Sequence, residues 1–476
     1  MSEKLNNQKD IMPARVKEAR LSRGLSLAEL ADRIGISSQA ISQYELGISR
    51  PSPQVLEKMS EELQFPINFF SKPMFSQQSS NSPVNFRSLK SSSKKTKDAL
   101  EYRISWLHEI NLLLRKYINF PDFPEIDLPK LNYSNDFEID FDTIEDVALN
   151  LRKHWNIEKS PIPNLVELLQ EKGFIISRIE FGEQKIDAFS QWFNNYPYII
   201  LGSDKSSATR SRFDLAHELG HLILHVHIDP EMMMKKNVFD RLEKEANYFA
   251  GAFLLPRDSF PQEVLYKTID HFIILKKRWK VSIQAMIKRC ESLYILNESQ
   301  VRYLFAQIAQ RGYRKKEPLD DLIPLETPYL LKQAIKLLLD NQIIKPEEIV
   351  YEIARNKEEI DSLCFLPDDL LKVKPRRPQL TLISSKQTNH LDKEANVMKK
   401  EEIINEMTEW FFENYEDPAN GVPYDGREGG YQYINGGPFD PQEILSEQFP
   451  EYEEFIDEAT SQIYPQGDEW VKKGDY

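Results

Sequence analysis

The sequence predicts a mainly α-helical chain with a small β-sheet. An N-terminal bundle of five short helices, a central helical core carrying the sheet, and a C-terminal α+β module follow one another. Three observations support this reading. Apolar residues recur at helical spacing over most of the chain, and few runs look like strands. With 476 residues, the chain is too long for one ordinary core at roughly 100–200 residues per domain. Charge is also unevenly divided: the formal net charge is −14, yet residues 401–476 hold 20 acidic and 3 basic side chains. The rest of the chain is therefore close to neutral, and its surface is free to meet an anionic partner.

Composition narrows the class. A charged fraction of 29% and a hydrophobic fraction of 41% suit a soluble folded protein. No run of about 18 apolar residues is present, so no membrane span is expected. The first residues lack the apolar stretch of a secretory signal, and a cytoplasmic location is expected. Cys290 and Cys364 are the only cysteines, which excludes a disulfide framework and a cysteine-rich zinc site.

Along the chain, residues 11–72 read as short amphipathic helices separated by tight turns. Residues 73–141 read as a linker with a basic cluster (Lys94, Lys95, Lys97) and a connecting helix near 101–119, where Ile104, Leu107, Ile110, Leu113 and Tyr117 share a face. A folded region over 142–316 opens with two helices and continues with strands at Phe174–Ile179 and Tyr196–Leu201. Long helices follow at about 207–227 and 239–254. A helical extension covers 317–370, a second linker 371–397, and an acidic module 398–476. In that module a helix near 399–414, a glycine-rich turn region at 420–438 and a helix near 440–463 are expected.

Within the first region, Ser26 is placed to cap a helix whose Leu27, Leu30 and Ala31 face inward. Gly35 supplies a tight turn, and Ser37 or Ser38 caps a second helix containing Ile41 and Tyr44. Small Ala31 lets the two helices approach. This is helix-turn-helix geometry, in which the second helix offers its N-terminal residues to base edges in double-stranded DNA. The outward candidates are Ser38, Gln39, Ser42 and Gln43, glutamine being able to pair with adenine through two hydrogen bonds. The stretches Leu30–Ser37 and Tyr44–Pro53 resemble the Xre/lambda-repressor-like family over about residues 13–70. A homodimer on two half-sites is the arrangement that resemblance implies.

The second chemistry lies in residues 210–225, which contain an HExxH string. One helical turn separates His217 from His221, so both imidazoles share a face and can take two corners of a tetrahedral zinc site. Glu218 is rotated to the side, where a general base for a zinc-activated water belongs. Gly220 costs roughly 1 kcal/mol against alanine in a helix, and its missing side chain leaves room for a neighbouring element. A third ligand is offered by the next helix as Glu243, with Glu245 as the alternative. His225 lies a further turn along, but a drift of about 40° per turn makes direct ligation poor; a supporting role around the metal or plain packing fits it and His227 better.

The segments 210–225 and 243–256 together resemble the ImmA/IrrE family of metallopeptidases, as do residues 186–192 and 279–289. That resemblance covers most of residues 85–370 and implies a gluzincin-like peptidase core, one zinc ion (manganese being an alternative), and cleavage of a partner protein of Xre-repressor type. On this sequence it implies His217, His221 and Glu243 as ligands and Glu218 as base. A transcriptional regulator whose peptidase fold serves as sensor or dimerisation scaffold without turnover is the competing expectation, with a toxin–antitoxin or phage-defence role as one setting for it. The acidic module carries no recognisable chemistry, and its charge reads as a solvated surface.

Overall fold

The computed structural model describes residues 11–74, 94–124, 138–181, 187–203, 207–226, 228–233, 235–368, 370–372, 403–411, 415–416, 441–449, 455–463 and 471–472. It divides into two units, Met1–Lys374 and Pro375–Tyr476. The chain is mostly helical, with one three-stranded sheet.

The N-terminal bundle comprises α1 (Pro13–Ser22), α2 (Leu27–Ile34), α3 (Ser38–Glu45), α4 (Pro53–Leu63) and a 3-10 helix, Ile67–Ser71. Ser26 and Glu29 form a reciprocal capping box at the start of α2, which satisfies two otherwise orphaned backbone donors. Gly35 sits at φ +74°, a conformation that costs glycine little, and this reverses the chain between α2 and α3. Ser37 then caps α3 through the Ala40 N–H. Leu30, Ala31 and Ile41 are buried between the helices.

Helix α5 (Lys94–Leu114) starts about two turns earlier than the apolar period suggested. Lys94, Lys95 and Lys97 thus belong to the helix and not to a linker. Polar but helix-compatible residues extend it until Lys95 reaches Glu29 of α2 at 2.7 Å. Next come α6 (Phe141–His154), α7 (Leu165–Glu171) and strands β1 (Ile175–Ile179), β2 (Ala188–Phe193) and β3 (Tyr196–Gly202). The sheet order is β1-β3-β2, with β1 parallel and β2 antiparallel to β3. Strand β2 was not anticipated. It is joined to β3 by Asn194 and Asn195, both at positive φ, the two-residue turn that suits a twisted hairpin.

The remaining helices of the first unit are α8 (Ala208–Leu224), α9 (Pro230–Met233), α10 (Lys236–Leu254), α11 (Phe260–Glu263), α12 (Ile269–Trp279), α13 (Ile283–Ser292), α14 (Glu298–Gln310), α15 (Leu330–Asp340), α16 (Pro346–Ile353) and α17 (Lys357–Cys364). Alternation along the strands divides the sheet between two cores. Ile176, Ala188, Ile199 and Leu201 pack with α6–α8 and α10–α14. Ile175, Ile179, Phe189, Tyr198 and Ile200 pack on the opposite side, with α5, α15–α17 and the N-terminal bundle. A buried ionic cluster spans this second core: Arg15 lies 2.8 Å from both Glu18 and Glu109, and Arg355 lies 3.2 Å and 3.0 Å from the same pair. The Trp106 indole N–H also donates to Glu18, at 2.6 Å.

In the second unit, helices at 403–411, Pro441–Gln448 and Ile456–Ile463 bury Ile404, Met407, Phe411, Leu445 and Ile463, and Tyr415–Glu416 pairs antiparallel with Val471–Lys472. The single helix expected near 440–463 is thus described as two. The glycine-rich stretch 420–438 lies outside the described residues. No helix among the described residues is long and apolar enough to cross a membrane.

Candidate metal centre and DNA-facing helix

Helices α8 and α10 meet at Gly220. A Cβ there would lie 3.0 Å from the Phe249 ring and 3.3 Å from both the Cα and the carbonyl oxygen of Ala246. Only a glycine opposite an alanine lets the backbones come this close, and Glu243, one turn before Ala246, is thereby brought to the histidine face of α8.

There the donor atoms converge. His217 Nε2 and His221 Nε2 are 3.0 Å apart. Glu243 Oε1 is 3.2 Å from His221 Nε2, and Glu243 Oε2 is 3.5 Å from His217 Nε2. All three side chains are buried. Among the described residues, they form the one cluster of this kind able to hold a metal ion. With Zn–N and Zn–O distances near 2.0–2.2 Å, adjacent corners of a tetrahedron are about 3.3 Å apart. The three separations bracket that value, and a set of two imidazoles and a carboxylate without a thiol suits zinc or manganese. The residues therefore fit the ion. Burial opposes ionisation of Glu243, but the His217 and His221 rings beside it outweigh burial and hold the carboxyl below the usual carboxylate range.

Glu218 is not one of the three converging donors. Its Oε2 accepts a 2.6 Å hydrogen bond from the Ser190 hydroxyl of β2. Burial pushes its pKa up to about 7, against the pull of His221 and Ser190. Trp192, two residues along β2, donates to the Leu222 carbonyl at 2.9 Å and fastens the strand to α8.

Glu245 does not face the histidine pair. Its Oε1 accepts from the Ile139 N–H at 3.1 Å and lies 3.4 Å from Arg241 Nε, while its Oε2 is 3.0 Å from His225 Nε2. Burial pushes Glu245 up to about 7, against the pull of Ile139 and Arg241. His225, the residue that ends α8, places its Nδ1 2.9 Å from His221 Nδ1. Burial, together with the neighbouring His221 and His217, drives its pKa well below the ordinary histidine value. His227 lies outside the described residues. Sequence reasoning missed Ser190, although it lies within the 186–192 segment that carried part of the family resemblance.

Buried arginines fix the frame around the site. Arg212, one turn before Ala216, reaches Glu326 and the Ile162 carbonyl. Arg289 on α13 pairs with Glu145 on α6, at 2.9 Å from Oε2. In the bundle, Ser38 and Gln39 are exposed at the start of α3, whereas Ser42 and Gln43 are half-buried.

Comparison with known proteins agrees with this layout. Residues 169–291 match the family model described as the IrrE N-terminal-like domain of Peptidase M78. Residues 16–70 match a helix-turn-helix model, and residues 389–476 match HEPN/RES N-terminal domain 1. No curated protein matches. Among solved structures, a Mycobacterium tuberculosis transcriptional regulator is similar at 15% identity over 39% of this chain, with a TM-score of 0.24. The match spans 51% of that regulator, about half its length. Bacillus thuringiensis PlcR, solved in complex with the peptide PapR7 and DNA, is 13% identical over 73% of this chain and 90% of its own, with a TM-score of 0.14. At such scores neither likeness bears on the site.

Proposed function

The chain joins an Xre-type helix-turn-helix domain to a domain of the ImmA/IrrE metallopeptidase family, and from this premise we propose a DNA-binding regulatory zinc endopeptidase. In this reading it works in the cytoplasm, as a homodimer on two half-sites, and its substrate is a partner protein of Xre-repressor type. The observation that carries the proposal is the convergence of His217, His221 and Glu243 beside the Glu218 carboxylate.

His217, His221 and Glu243 are the ligands. Zinc bound there supplies Lewis acidity, which brings the pKa of a water towards about 7 and polarises a peptide carbonyl. Glu218 takes the proton as the carbonyl carbon is attacked and returns it to the amine nitrogen when the C–N bond breaks. Burial raises the proton affinity of Glu218, the direction that favours taking up the proton. Ser190 holds the carboxylate in place by its hydrogen bond. In the N-terminal bundle, α3 presents Ser38, Gln39, Ser42 and Gln43 to base edges, with either glutamine able to read adenine.

The test is cleavage of purified Xre-type repressors by the full chain, with and without a chelator. Glu218→Gln is expected to retain one zinc per chain and to lose cleavage by 100-fold or more, on the order of the general-base contribution. Undiminished cleavage by that variant would sink the mechanism. A zinc-loaded wild-type chain that cuts no repressor would instead favour a regulator using the fold as a scaffold.

A further inference from the structure

We infer that His225 and Glu245 are positioning residues that fix the tautomer and orientation of His221. The inference rests on the metal-ligand reading of His217, His221 and Glu243.

Three buried side chains form a line: His221 Nδ1 to His225 Nδ1 at 2.9 Å, then His225 Nε2 to Glu245 Oε2 at 3.0 Å. All three are 3% exposed or less. Two facing ring nitrogens at that distance require one to donate and the other to accept, so the pair has a direction. Glu245 sets it. The Ile139 N–H donates to Oε1 and the Arg241 guanidinium lies 3.4 Å from the same oxygen, and in its carboxylate form Glu245 offers His225 only an acceptor. His225 Nε2 must then donate to Oε2. A neutral His225 consequently has a bare Nδ1, which accepts from His221 Nδ1–H. A neutral His221 with its proton on Nδ1 has its lone pair on Nε2, the atom that faces His217 and Glu243.

The backbone anchors the far end of the line. Ile139 precedes α6, so the strand of chain entering that helix locks Glu245, Glu245 locks His225, and His225 locks the ligand. Ligating histidines commonly donate their other nitrogen to a carboxylate or carbonyl, and loss of that partner weakens metal binding about 10–100-fold. Here a second imidazole is interposed between ligand and carboxylate. This explains a histidine one turn beyond His221 that cannot itself reach the ion. It also explains why Glu245, two residues from Glu243, is turned to the other side of α10.

The experiment measures zinc affinity of the full chain by competition with a chromophoric chelator. His225→Leu is expected to bind zinc about 10–100-fold more weakly than wild type. His225→Gln, whose amide oxygen can still accept from His221 Nδ1, is expected to recover most of the loss, which a packing role would not produce. Glu245→Gln keeps an acceptor for Ile139 and tests the line should His225→Leu fail to fold; about a tenfold loss is expected. Wild-type affinity in folded His225→Leu or Glu245→Gln would overturn the positioning role while leaving the ligand reading intact. A wild-type chain that takes up no zinc, or a Glu243→Gln variant that binds it unchanged, would overturn the ligand reading and this inference with it.

Discussion

Ser190 illustrates how a residue of ordinary chemistry gains a role from its surroundings. Its hydroxyl meets a fully buried carboxylate at 2.6 Å, and a hydrogen bond to a charged group contributes about 1.5–3 kcal/mol. If that contribution is expressed in the transition state, Ser190→Ala lowers kcat about tenfold or more. Zinc affinity should stay unchanged, because the Ser190 hydroxyl hydrogen-bonds to Glu218 and to none of the three ligands. Steady-state kinetics beside a chelator titration would check this, and an unaltered kcat would remove Ser190 from the machinery. Much of the candidate site could be read from the chain: His217, Glu218 and His221 declare themselves because four residues make one helical turn. Glu243 and Glu245 could not be separated by spacing alone, since the choice depends on how α10 is rotated against α8. Ser190 was beyond reach for a different reason. Its partner is 28 positions away, and the packing of β2 against α8 brings the two together.

At the level of elements, the contact of α8 with α10 turns on a single missing methyl group. Gly220→Ala gains about 1 kcal/mol of helix propensity. The added Cβ would nevertheless press on the Ala246 backbone at 3.3 Å, where no side chain can swing aside, and overpacking costs roughly 1–3 kcal/mol. The expected net effect is a loss of about 1 kcal/mol in urea unfolding, accompanied by severalfold weaker zinc binding as Glu243 is pushed off. A gain in stability would mean that the helices can part without strain. Helices were the most legible elements because their period runs over many residues; even so, α5 was read too short, since Lys94–Asp98 carry no apolar stripe. Strand β2 was missed although Asn194–Asn195 is a hairpin signal. Its Ala-Phe-Ser-Gln-Trp-Phe sequence mixes small, polar and aromatic residues because one face meets α8 and the other α5.

On the scale of the whole molecule, the first unit is held by the shared second core and its buried charges. Arg15 and Arg355 balance Glu18 and Glu109, so removing one partner leaves a carboxylate buried without its full complement, at a cost of about 3–5 kcal/mol. Arg355→Met is therefore expected to destabilise the bundle and the sheet together. Hydrogen exchange would read this as a joint loss of protection in α1, α5 and β1; loss confined to the bundle would show that the two regions open separately. Sequence alone suggested a bundle tethered by a linker, because each region has its own helical pattern and no local pattern records that α5 and α15–α17 seal one against the other. The outer face of the sheet, with Ile175, Phe189, Tyr198 and Ile200, owes its cover to that seal. For the gene, the consequence is a constraint on rearrangement. A deletion that strips away residues 13–71 is expected to bare the apolar face of α5 that α1 covers, so the remainder of the first unit would lose stability and solubility.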